Sequence, residues 1–244
     1  MTTHTHKPKK SLGQNFLKSK TVVSQILKTA KLTGKDHVIE IGPGLGILTI
    51  PLSKIVKKVT AIELDPELIP ILEEKLTNVE IINQDALKFQ PPKTTKYKVV
   101  ANIPYYITSP LITHFLTNPN PPTSLTLLVQ KEVAEKIVID PPSSILALQA
   151  QLYAKPHKAF KVPAKHFSPQ PKVDSAVIHL ETLPKSKRPQ NPQQILTLAK
   201  LAFSQKRKKL SNTLKEHREA LTKLGLQDKR PQHLSIKDWE ELSS

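Results

Sequence analysis

Three of the six glycines in this 244-residue chain fall within five positions, in the run Glu40-Ile41-Gly42-Pro43-Gly44-Leu45-Gly46. The run follows His37–Ile41 (HVIEI), which reads as a buried strand, and precedes Leu45–Ile55, which reads as a helix despite Pro51. A strand that ends in a glycine-rich turn and opens a helix is the first crossover unit of an open α/β sheet. Glycines at such a turn permit φ > 0 and let a ligand approach the backbone. The helix N-terminus adds free N–H groups and the positive end of a dipole. A pyrophosphate or the carboxylate of a methionyl group would both suit that turn. Its G-x-G-x-G spacing, with an acid two residues before the first glycine, differs from the G-x-G-x-x-G of dinucleotide enzymes, but the difference separates the two ligands only weakly. Taken alone, the run is also compatible with an ordinary tight turn.

The alternation continues along the chain. Val22–Thr33 has helical spacing; Lys58–Leu64 reads as a strand and Glu67–Leu76 as a helix. Val79–Asn83 and Tyr97–Ala101 are further strands, a helix starts at Pro110–Leu116, Leu125–Gln130 is a fifth strand, and Lys131–Ile137 is helical. Ala176–Leu180 is a late strand. Strands separated by helices imply a parallel sheet with right-handed crossovers. The polar, proline-rich stretch Pro184–Pro192 reads as a linker, followed by helices at Gln193–Ser204, Lys209–Leu221 and Ile236–Leu242. The expectation is therefore two domains, 1–183 and 184–244, with no internal repeats.

Charge follows the same division. The net charge is +17, yet residues 36–183 are nearly neutral at +1, while residues 1–35 carry eight Lys and no acid, and residues 184–244 carry +8. A neutral core between basic ends suits a polyanion such as nucleic acid; the plainer alternative is a basic surface that only aids solubility, in a chain with four Arg among its cations. The absence of Cys excludes disulfides and thiol chemistry. No stretch resembles a signal peptide or approaches the length of a membrane span, so a soluble cytoplasmic protein is expected.

Two carboxylates extend the turn into a site. Glu63 ends the second strand, where an acid can accept hydrogen bonds from both ribose hydroxyls of an adenosyl group. Asp85, just past the third strand, suits an adenine 6-amino group or, equally, a helix N-cap. An adenosyl cofactor is supported at this point, and NAD is still a competitor. The reaction is indicated by Asn102-Ile103-Pro104-Tyr105, after the fourth strand. An aromatic exocyclic amine is a poor nucleophile because its lone pair is delocalised. An Asn side-chain carbonyl and a neighbouring backbone carbonyl can each accept one of its hydrogens, which favours pyramidal nitrogen and frees the lone pair for attack on a sulfonium methyl. Pro104 lacks an N–H and has a fixed φ, which helps hold the backbone carbonyl outward, and Tyr105 can stack on the base. The target base must then be unpaired or flipped out, and Phe167 is the candidate for the second aromatic wall.

The ordered set Ser11-Leu12-Gly13-Gln14-Asn15-Phe16-Leu17, the EIGPGLG turn, Ile62–Asp65, Asn102–Tyr105, Gln130–Ala134 and Phe167–Val177 (FSPQPKVDSAV) resembles the small-subunit ribosomal RNA adenine N6,N6-dimethyltransferase family over nearly the whole chain. The resemblance implies an α/β, Rossmann-like class I methyltransferase fold with a mixed, mostly parallel sheet and a small C-terminal helical domain. It implies S-adenosyl-L-methionine as cofactor, with no metal. It also implies that Asn15, Leu17, Gly42, Glu63, Asp85 and Asn102 contact the cofactor or its surroundings, that Asn102, Ile103, Pro104, Tyr105 and Phe167 form the catalytic set, and that the base lies against Tyr105 and Phe167. The implied substrate is a pair of adjacent adenines in a hairpin near the 3′ end of small-subunit rRNA, within an immature small ribosomal subunit, met by a monomer away from any membrane. A sister family that methylates adenine in large-subunit RNA shares the turn and the N-I-P-Y motif. The tail Phe203–Asn212 (FSQKRKKLSN), with its Lys206-Arg207-Lys208-Lys209 run, fits the small-subunit family better. Four consecutive cations on one helix would repel one another unless a polyanion neutralised them, so this run is expected to contact RNA phosphates. One stretch departs from the family: Asp140–Leu148 (DPPSSILAL) lacks the usual Tyr-Gly pair.

Overall fold

The computed structural model describes residues 6–76 and 78–243; the first five residues of the basic N-terminal stretch lie outside them. The chain divides into two compact units, 1–134 with 157–182 and 135–156 with 183–244. The single boundary expected near residue 184 is one of three crossings: residues 135–156 belong with the C-terminal helices, and the chain then returns to the sheet.

Among the described residues the first unit is built on nine strands, β1 (Phe16–Leu17), β2 (His37–Ile41), β3 (Lys58–Glu63), β4 (Val79–Asn83), β5 (Lys98–Asn102), β6 (Ser124–Gln130), β7 (Ala154–Val162, its first three residues grouped with the second unit), β8 (Phe167–Ser168) and β9 (Ser175–Thr182). Seven form one sheet in the order β4-β3-β2-β5-β6-β9-β7, and β1 and β8 form a separate antiparallel pair. Strands β4 to β6 are parallel neighbours, and β9 runs antiparallel to β6. Val38, Ile39, Val99 and Val100 are wholly buried, as expected of strands covered on both faces. The chain moves outward from β2 to β3 and β4, then returns to place β5 on the other side of β2. That reversal is a topological switch point, and its crevice lies at the strands' carboxyl ends.

The helices here are α1 (Lys20–Thr29), α2 (Thr49–Ile55), α3 (Ile69–Lys75) and α4 (Thr108–Leu116), with α5 (Lys131–Val138) straddling the boundary between the units. Helix α1 starts where the Ser19 hydroxyl accepts the Val22 N–H and ends short of the expected Thr33, because Lys31 turns to φ 50°. Helix α2 begins four residues later than expected, because Gly46, at φ 85°, holds the preceding turn in a left-handed conformation. Pro51 then falls in the first turn, where its missing N–H costs no intrahelical bond.

The second unit holds α6 (Ile145–Tyr153), α7 (Pro192–Ser204), α8 (Leu210–Thr213), α9 (Arg218–Lys223) and α10 (Ile236–Ser243). Its core includes Trp239, fully buried and stacked on Phe203 with ring centres 6.1 Å apart, while the Arg188 guanidinium lies 5.4 Å from the Tyr153 ring centre. The atypical 140–148 stretch leads into α6, whose Ser144 cap accepts the Ala147 N–H. The single helix expected over Lys209–Leu221 is broken into α8, a 3-10 turn and α9. Ser211, Asn212 and Thr213 compete for backbone hydrogen bonds, and the Leu210 and Ser211 N–H groups are taken by the carbonyls of Lys229 and Gln227.

Candidate active site

A cleft lies over the carboxyl ends of β2, β3 and β5 and is lined by Gly42, Glu63, Asp85 and Asn102 from the sheet side. Parallel register explains the grouping: Ile41 pairs with Ile62 and with Ala101, so the next residues on each strand, Gly42, Glu63 and Asn102, come to one edge. Glu63 is buried, and its carboxylate accepts the N–H of Gly44 at 3.1 Å and of Asp65 at 2.9 Å. Burial pushes its pKa up, and those two backbone bonds oppose the rise. Gly42 N–H donates to Ile62 O. Asp85 lines the cleft, and its Oδ1 accepts the Leu87 N–H at 2.9 Å, which caps a turn at 86–88 where no helix follows.

The N-terminal segment covers this edge. Residues Leu12 to Leu17 line the cleft from the opposite side, held there by the pairing of Leu17 with Phe167 and Phe16 with Ser168. Gly44 makes the cover possible: at φ 59°, a Cβ there would lie 3.0 Å from the Phe16 ring. The segment is also tied to the end of β3. Fully buried Asp65 accepts from Lys9 Nζ at 2.7 Å and Gln14 Nε2 at 2.8 Å, and Lys9 lies 3.0 Å from Glu67. Burial alone would raise the Asp65 pKa, but the Lys9 and Gln14 bonds outweigh it and hold the carboxyl below its ordinary value. His6, Asp65 and Glu67 have metal-compatible spacing, but the Lys9 ammonium bridges the two carboxylates, so this cluster reads as a neutralised tether.

The amine motif sits at the other wall. Asn102 Nδ2 donates to the Asn15 carbonyl at 3.2 Å, an arrangement that leaves the side-chain oxygen available to accept. The Asn15 side chain in turn donates to Gly13 O. Ile103 is buried, and Pro104 leads into the turn Tyr105–Ile107, so Tyr105 projects from a rigid corner. Tyr105 is half-buried, with its hydroxyl 2.7 Å from Ser175 Oγ. Phe167 borders the cleft but is only 2% exposed and belongs to the core with Leu17, Val22 and Leu48. It forms an inner wall of the cleft, with little of its ring accessible.

Lys206, Arg207, Lys208 and Lys209 lie in the second unit and are all exposed. They occupy the turn after α7, not a helix, so mutual repulsion along a helix is not what characterises them. Lys209 is paired with Asp228 at 2.7 Å.

Several cleft residues carry no strong sequence signal. Glu40, 1% exposed, lines the cleft with its Oε2 unpartnered, and burial raises its pKa to about 8; the nearby Thr49 hydroxyl opposes that shift but does not meet Oε2 in hydrogen-bonding geometry. Its strand pattern read only as an acid before glycines. Tyr106, 59% exposed at the cleft, directly follows the motif, and the doubled tyrosine was the available clue. The ties of Gln14 and Asp65 are long-range and have no local signature.

The family model of ribosomal RNA adenine dimethylase matches residues 5–242. A ribosomal RNA small subunit methyltransferase A from Clostridioides difficile (strain 630) is 39% identical over 258 aligned residues, covering 96% of this chain and 89% of that protein. Among solved structures, a dimethyladenosine transferase from Plasmodium falciparum superposes with a TM-score of 0.82 at 29% identity, over 93% of this chain and 95% of that one. The 23S rRNA methyltransferase ErmE superposes with a TM-score of 0.76 at 28% identity, over 94% and 98%. The fold is that of the Rossmann-like methyltransferases, and the chain belongs to the ribosomal RNA adenine dimethylase family.

Proposed function

We propose that this protein dimethylates the N6 amines of two adjacent adenines in a hairpin near the 3′ end of small-subunit rRNA, using S-adenosylmethionine, and that it acts as a cytoplasmic monomer on an immature small ribosomal subunit. The name of the C. difficile relative supports the small subunit over the large. Among the described residues no helix is long and apolar enough to cross a membrane.

The cleft's donor set fits the cofactor. Glu63 is a buried acceptor whose geometry is already set by two backbone donors, and Gly42, at φ 65°, adopts a backbone conformation that side chains disfavour, with Asn102 O 3.8 Å from where a Cβ would lie. When bound, the cofactor supplies an electrophilic methyl group. Glu63 would accept the ribose hydroxyls, Asp85 would border the adenine, and the Asn15–Leu17 cover would exclude water. The observation that carries the reading is the Asn102 amide: its nitrogen is committed to Asn15 O, so its oxygen is oriented to accept an N6 hydrogen. Asn102 Oδ1 and an adjacent backbone carbonyl each hold one hydrogen of the amine, and the lone pair is released toward the methyl. The product ammonium is acidic, so its proton leaves without a strong base. Tyr105 and Phe167 seat the base, and a second transfer from a fresh cofactor molecule, to a monomethylated amine that keeps one N–H for one of the two acceptors, completes dimethylation. The exposed Lys206–Lys209 turn contacts RNA phosphates. Labelled methyl transfer to unmethylated small subunits, run beside large-subunit RNA, tests the assignment: label in the small subunit alone is expected, and label in the large-subunit RNA alone would overturn it.

A further inference from the structure

We propose that Asp174 and Ser175 are positioning residues that set the aromatic seat of the target base, an inference that rests on reading Tyr105 and Phe167 as that seat. Ser175 is fully buried at the start of β9, opposite Gln130 of β6. Its hydroxyl meets the Tyr105 hydroxyl at 2.7 Å, across 70 residues of sequence. A half-buried tyrosine ring with one free edge can swing about two torsions; a short O–H···O bond at its far end removes that freedom.

The neighbouring Asp174 acts on the other wall. Its Oδ1 accepts the Ala164 N–H at 2.9 Å, and its Oδ2 pairs with Lys161 at 2.7 Å. Ala164 opens the turn Ala164–His166, which delivers Phe167 to its pairing with Leu17. The turn is held again by Lys18 N–H on His166 O at 2.8 Å. The Asp174 carbonyl also accepts the Lys131 N–H at 3.0 Å, fixing the dipeptide to the end of β6. Two adjacent residues thus fasten two elements that arrive from distant parts of the chain. The separation of the two rings is thereby referred to one point on the sheet edge.

A double-mutant cycle with a spectroscopic readout tests this. Ser175→Ala and Tyr105→Phe remove the same bond while keeping both rings. Each should lower kcat on unmethylated small subunits about fivefold, the scale of one hydrogen bond, with KM for S-adenosylmethionine unchanged. The double variant should lose no more than either single one. Asp174→Ala should lower kcat similarly, and Asp174→Asn, which keeps an acceptor for Ala164, should recover most of the loss. In substrate-free protein labelled with 3-fluorotyrosine, Ser175→Ala should shift and narrow the Tyr105 fluorine resonance. An unaltered resonance would show that the fastening does not exist. Losses that multiply in the double variant, or a shifted resonance with undiminished kcat, would show that it does not act through Tyr105. A wild-type protein that folds but transfers no methyl group would remove the proposed function and the seat with it.

Discussion

The two units make different use of the chain. In the first, a seven-stranded sheet with its central strands buried on both faces brings three strand ends to one edge, and the two groups that define the site there are held by backbone: Glu63 by two N–H groups, Asn102 by a carbonyl. In the second, short helices close over Trp239 and leave the cations outside, so that residues 184–244 carry +8 while residues 36–183 carry +1. The difference separates two physical requirements. A group that must distinguish a transition state from a ground state has to be placed to fractions of an ångström, which a parallel sheet over-determines. A group that neutralises phosphate needs only proximity, and an exposed turn supplies it.

The separation can be broken most directly at Asn102. Asn102→Ala should lower single-turnover methyl transfer by about 10²–10³, the scale for losing one preorganised hydrogen-bonding group, with cofactor affinity largely kept. A loss below about tenfold, roughly 1.4 kcal/mol, would show that the first unit does not act through this amide.

Next in size is an effect on stability. Glu40 has a pKa raised from 4.5 to about 8 because burial penalises its charge. Between those values the folded state keeps a proton that the unfolded chain has lost, so stability should fall as pH rises through this window. Glu40→Gln removes that dependence. Urea unfolding should therefore show the variant gaining on the wild type from pH 5 to pH 8, by on the order of 3 kcal/mol in total. A gap that stays constant with pH would mean that Glu40 is charged in the fold throughout.

Glu63 should give a smaller effect, confined to the cofactor. Glu63→Gln should weaken S-adenosylmethionine binding by about 1.5–3 kcal/mol, the scale of bonds to a charged group. Titration calorimetry reads it directly, and unchanged affinity, or tighter binding of NAD, would undo the assignment of the cleft.

Those three positions differ in how legible they were. Glu63 and Asn102 could be placed from sequence because each ends a strand, and strand ends in a parallel sheet share an edge by register. The alternation of β2, β3 and β5 with helices gave the sheet for the same reason. What escaped was long-range or depended on competing local bonds. The two-residue pairing of Phe16–Leu17 with Phe167–Ser168 has no periodicity to detect, yet it carries the cover over the cleft. The buried run Ile145–Tyr153 is apolar on most sides, so its helical period is masked. Lys209–Leu221 has leucines at helical spacing, but Ser211, Asn212 and Thr213 favour local bonds, and the 225–230 segment takes the first N–H groups.

The smallest expected effect belongs to the second unit. Changing Lys206, Arg207, Lys208 and Lys209 to Gln should leave cofactor affinity and single-turnover chemistry unchanged. It should flatten the slope of log affinity for small subunits against log salt by roughly 0.7–0.9 for each lost phosphate contact. Lys209 already pairs with Asp228, so Lys206, Arg207 and Lys208 should account for most of the change. An identical slope in filter binding would remove this turn from the RNA interface.

In the proposed reaction one cleft carries the adenine amine twice through methyl transfer on small-subunit rRNA. The most direct measurement is nucleoside mass spectrometry of unmethylated small subunits after reaction with the wild-type protein and S-adenosylmethionine. The expected product is N6,N6-dimethyladenosine at two adjacent positions near the 3′ end of the small-subunit RNA. Product that stops at N6-methyladenosine, or modification of a base other than adenine, would contradict it.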